Sequence, residues 1–122
     1  MTAGLVVVAA SDLVVAAVLL VTTLRAADGR MGVNGLAGIR TGATTASTAA
    51  WRAAHRAALP LVRWTSWGFV AAALVGLAMW PLGLPDVGFG VAFAPNVLVL
   101  GVLWPLVATA NRAAREAEDG RP

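Results

Sequence analysis

Three apolar stretches, each about long enough to cross a bilayer, constrain this chain more than any other feature. They cover residues 5–24, 61–81 and 88–109. A helix needs about 20 apolar residues to span the ~30 Å hydrocarbon core. In lipid such stretches must be helical, because every backbone N–H and C=O has to find a partner within its own segment. The expected fold is therefore all-α: one membrane domain of three transmembrane helices, with a loop over residues 25–60 and a tail over 110–122. Composition closes the soluble alternative. Of 122 residues, 59% are hydrophobic and 12% charged, well off the globular average. A soluble domain of this size exposes too much surface to hide that many apolar side chains.

No basic side chain precedes Arg25, whereas a cleaved signal peptide opens on a positive segment. The first stretch is accordingly expected to remain as a span. Between the second and third, Pro81, Gly83, Pro85 and Gly88 favour a tight hairpin turn. Orientation follows from the arginines. Arg25, Arg30, Arg40, Arg52, Arg56 and Arg63 lie between the first and second spans, and Arg112, Arg115 and Arg121 follow the third. Three crossings put both regions on one side, so the positive-inside rule places loop and tail in the cytoplasm and the N-terminus outside. There nine arginines face Asp28, Glu116, Glu118 and Asp119, a net +5 that favours anionic inner-leaflet lipids. Trp64 and Trp67 mark the cytoplasmic end of the second span and Trp80 its far end, as interfacial tryptophans do. Trp104 falls inside the third span, where packing against a neighbouring helix is expected. Pro105, and Pro95 nearer the outer end, are expected to kink that helix.

The side-chain inventory excludes several kinds of chemistry. There is no cysteine and one histidine, His55, so neither thiolate nor histidine-based metal sites are expected, and no cofactor. Arginines placed between spans are explained by topology, so no nucleic-acid partner is expected. No convergent acid, base and nucleophile set points to an enzyme.

The loop is the most informative segment. Its second half is expected to be a short amphipathic helix, capped by Thr45 or Ser47, rich in alanine, and ended at Pro60. Trp51 and His55 stand four apart and share a face, with Arg52 and Arg56 on the adjacent one. Such a helix lies in the interface with Trp inward and Arg among the headgroups. Residues 34–45 form a glycine- and threonine-rich turn. Its backbone N–H groups, Arg40 and the threonine hydroxyls make a candidate cradle for a phosphate or carboxylate. The Gly-Lys-Thr of a Walker A loop is absent.

Across this loop Asn34, Gly35, Gly38, Ile39, Arg40, Thr41, Thr44, Ser47, Trp51, His55 and Arg56 follow a spaced pattern. It resembles the signature loop of the SdpI family of small bacterial membrane proteins. The resemblance implies a non-catalytic plasma-membrane protein, with the loop residues as an interaction motif. It also implies peptide-toxin immunity or membrane signalling through the cytoplasmic loop, with a peptide toxin or a protein as partner. An accessory subunit of a larger membrane complex is the other expectation.

Within the spans Asp12 stands out. An isolated carboxylate at mid-membrane costs about 2.5–3.5 kcal/mol on insertion scales. It is expected to face a partner: Ser11, Asn96 or a group on another protein. Asn96 is expected to act as interhelical glue.

Overall fold

The computed structural model describes residues 2–120, so Arg121 and Pro122 of the tail lie outside the described residues. These residues form three helices, α1 (Thr2–Ala27), α2 (Thr48–Met79) and α3 (Pro85–Asp119). Each carries all or nearly all of one apolar stretch and is long and apolar enough to cross a membrane. The helix ends follow local chemistry. Gly29, at φ +79°, takes the chain out of α1 through a left-handed conformation that glycine adopts without strain. Ser47 caps α2 by accepting the Ala50 N–H at 3.0 Å. Pro85 opens α3 at the first helical position, where its missing N–H has no intrahelical partner to lose. Gly83 at φ +76° closes the turn from α2, with its N–H bonded to Trp80 O at 2.9 Å.

Two expectations are corrected here, those for Pro60 and Trp104. Pro60 does not end a separate loop helix; it lies inside α2, whose arginine-bearing first part continues into the apolar part. Pro60 is exposed, so its ring points away from the packed face. Pro95 and Pro105 both lie within α3. Trp104 is not packed on a neighbouring helix but is 81% exposed. The helix also outruns the third apolar stretch: α3 runs on to Asp119, and Ala110 and Ala114 are fully buried.

The described residues divide into two compact units, one of residues 2–18 with 64–102, the other of residues 19–63 with 103–120. In the first, α2 and α3 approach so closely at Gly76 and Gly88 that a Cβ on Gly76 would meet the Gly88 carbonyl at 2.6 Å. Gly4 of α1 rests on the Phe89 ring at 3.5 Å from where its Cβ would be. Small residues let helices approach in lipid, where packing rather than water exclusion drives association. Val7, Val14, Leu74, Leu98 and Leu100 face outward, as a bilayer permits.

The second unit is built on alanine. Ala50, Ala54, Ala58 and Val62 recur every four residues along α2 and pack with Ala110 and Ala114 of α3. Leu19, Leu106 and the loop residues Ile39 and Ala43 close over this cluster. A row at i, i+4, i+8 forms a ridge on one helix face, and alanine keeps it shallow.

Candidate functional site

The loop between α1 and α2 is a folded cap on the second unit, and α2 supplies its two anchors. Trp51 and His55, one turn apart, are completely buried with ring centroids 4.2 Å apart. The Trp51 indole Nε1–H donates to Met31 O at 2.9 Å. His55 Nδ1 lies 2.7 Å from Trp51 O and its Nε2 accepts the Ile39 N–H at 3.0 Å. Those partners assign the proton to Nδ1 and leave the ring neutral. His55 stands on the arginine-bearing part of α2, ahead of the apolar stretch that begins at residue 61. Burial holds its pKa below the ordinary 6.5, with the Trp51 carbonyl acting weakly the other way. The expected interfacial helix, with Trp51 in lipid, is therefore corrected: both rings are covered by the chain's own loop.

Gly38 makes this closure possible. It sits at φ +97°, and a Cβ there would lie 2.7 Å from the Trp51 ring and 2.8 Å from His55 Nε2. Asn34 shapes the preceding turn, its Oδ1 accepting the N–H groups of Leu36 and Ala37, both at 2.9 Å, while Nδ2 donates to Gly32 O. Gly35 is exposed, and nothing lies within 4 Å of where its Cβ would be.

The threonines form a knot. Thr44 is buried; its hydroxyl donates to Ile39 O at 2.6 Å and accepts the Thr41 N–H at 2.9 Å. Thr41 Oγ1 donates to Asn111 Oδ1 on α3 at 2.5 Å, and Thr45 Oγ1 donates to Thr41 O at 2.7 Å. The Ser47 hydroxyl is bonded to Glu118. These hydroxyls are spent inside the fold. Arg40 is exposed and makes no hydrogen bond or ion pair among the described residues. In the same loop Leu36 is 97% exposed. Arg56 reaches back to α1, its Nε donating to Ala27 O at 3.1 Å.

A family model described as the SdpI/YfhL protein family matches residues 30–109, about two thirds of the chain. The chain belongs to the SdpI/YfhL family. No curated protein and no solved structure matches it significantly. The matched stretch takes in most of the loop, α2 and most of α3, and this SdpI-family chain is a membrane protein by its three apolar helices. Asn111 and Glu118, which tie loop to α3, lie beyond the matched stretch. They were not readable as site residues. The one available signal was alanine at 110 and 114, which extends a packed face past the apolar run.

Asp12 lies ahead of the matched stretch and Asn96 within it. Asp12 is fully buried, and Asn96 Nδ2 donates to its Oδ1 at 2.9 Å. Of the expected partners Asn96 is therefore the one used; the Ser11 hydroxyl donates to Val7 O instead. Asp12 Oδ2 and the buried Ser66 hydroxyl have no hydrogen-bond partner among the described residues. The pair joins α1 to α3 within the first unit, apart from the loop residues.

Proposed function

We propose that this chain is a non-catalytic, SdpI-like protein of a bacterial plasma membrane whose folded loop recognises a peptide or protein. Peptide-toxin immunity or membrane signalling is the role this surface serves. The observation that carries the reading is the division of labour in the loop. Asn34, Gly38, Thr41, Thr44, Trp51 and His55 are used to hold its shape. Leu36 and Arg40 are left exposed, an apolar and a cationic group in the same loop. A loop held in shape binds with less ordering cost than a flexible one. The arginine distribution supports a cytoplasmic loop and tail, with the N-terminus outside and anionic inner-leaflet lipids around the basic residues. A periplasm-active reporter fused after Gly120 should be silent; activity there would reverse the orientation.

Cells lacking the gene should become more sensitive to a membrane-active peptide, with protection restored by the wild-type chain but not by Arg40→Ala with Leu36→Ala. Unchanged sensitivity across a panel of such peptides would remove the immunity role. A second reading, an accessory subunit of a larger membrane complex, is favoured by a groove in the first unit. Gly68, Phe69 and Ala72 of α2 and Ala94, Pro95 and Leu98 of α3 line it, and its small residues would admit a foreign helix. Purification in mild detergent with mass spectrometry separates the two, since a lone chain counts against a complex.

A further inference from the structure

The second unit also has a cationic corner that the proposed loop surface does not use. Residues 19–63 hold six arginines and a single carboxylate, Asp28. Two of the guanidinium groups converge on the end of α1. Arg56 Nε donates to Ala27 O at 3.1 Å. The Arg52 head lies against Gly29, so near that a Cβ there would meet its Cζ at 3.0 Å and its Nε at 3.1 Å. The φ of +79° at Gly29 and this close approach both call for glycine.

Acceptors are scarce at this corner. The carbonyls of Leu24, Arg25 and Ala26 already accept the N–H groups of Asp28, Met31 and Gly29. Arg52 Nε is buried without a hydrogen-bond acceptor. Among the described residues Arg25, Arg30, Arg52 and Arg56 take part in no ion pair. A buried N–H left unpaired is costly, and native structures nearly always supply a partner.

We propose that this corner binds a phosphate group, held by Arg52 and Arg56 with the exposed Arg25 and Arg30 adding to the positive field. Planar guanidinium forks match phosphate oxygens two at a time, and the tetrahedral oxygens of a phosphate can meet two forks better than a carboxylate's two oxygens can. The phosphate belongs either to a lipid headgroup or to a free phosphate; the recognising chemistry is the same. Bound between α2 and the end of α1, it stiffens the 28–31 turn, whose Met31 carbonyl holds the Trp51 indole. The site thus makes the loop's order responsive to an anion.

The test uses the full chain in neutral maltoside detergent at constant ionic strength, with thermal unfolding followed by tryptophan fluorescence. Inorganic phosphate, short-chain phosphatidylglycerol, short-chain phosphatidylcholine and acetate are titrated separately. Binding to the folded state raises the midpoint with ligand concentration. Phosphatidylglycerol, inorganic phosphate or both should raise it by several degrees, with acetate and phosphatidylcholine inert. A response to phosphatidylglycerol alone assigns a lipid headgroup; one to inorganic phosphate as well assigns a free phosphate group. Arg52→Gln and Arg56→Gln should each weaken the response about tenfold or more, the loss of a charge-assisted pair, while Arg115→Gln on α3 leaves it intact. Arg30→Gln, at an exposed position, gives a smaller loss and serves if the other variants do not fold. No shift with either phosphate ligand, an equal shift with acetate or phosphatidylcholine, or an undiminished response in all three corner variants would overturn the site.

Discussion

His55 ties the loop to α2 through both ring nitrogens, and the tie depends on the ring staying neutral. Protonating Nε2 removes the acceptor for the Ile39 N–H. Because burial holds the folded pKa below the ordinary 6.5, the unfolded chain takes up the proton first on acidification. The contribution is therefore full above about pH 6.5 and is lost as pH falls below it. Thermal midpoints in detergent should be level at neutral pH and decline below about 6; His55→Gln should start lower and flatten that decline. Gly38→Ala meets both the positive φ and the Trp51 and His55 rings, and should cost about 1–3 kcal/mol, read as a lower midpoint with Trp51 fluorescence shifted to the red. At this scale the sequence was partly legible. The four-residue spacing puts Trp51 and His55 on one face because helix geometry is local. It could not show that loop backbone rather than lipid covers them. The Thr41–Asn111 bond joins residues 70 apart, and no local pattern encodes such a pairing.

The helices were legible where lipid compatibility alone decides, over the three long apolar runs. They were only partly so where alanine decides. Alanine favours helix strongly yet adds little hydropathy contrast, so an alanine-rich helix was expected ahead of Pro60 but as an element apart from the second span, and the third span was bounded at 109. In fact the stripe of Ala50, Ala54 and Ala58 on α2 and Ala110 and Ala114 on α3 carries both helices through the second unit. Helix continuity past Pro60 follows from this packing, since the proline is on the exposed side and costs its one backbone bond there. The shallow ridge makes a sharp prediction. Ala54→Leu, at a fully buried position, overpacks it and should destabilise by about 1–3 kcal/mol. The same substitution at exposed Ala71 of α2 should leave the midpoint within experimental error. Equal effects at both positions would mean that the alanine stripe is not a packed contact.

On the scale of the whole molecule, the two units show two kinds of packing. The first unit leaves valines and leucines outward and keeps one carboxyl–amide pair inward. The second buries small side chains and closes its loop with hydroxyl, indole and imidazole bonds. A membrane protein of the SdpI/YfhL family thus carries a folded element between its first two apolar helices in place of a slack connector. Amide hydrogen exchange on the chain in lipid nanodiscs reads this directly. A folded loop predicts that the amides of Ile39 and Thr41, bonded to His55 Nε2 and the Thr44 hydroxyl, exchange orders of magnitude more slowly than an unstructured segment. That protection should be lost in His55→Ala while the helices keep theirs. Exchange at unstructured rates across residues 34–45 in the wild-type chain would contradict it.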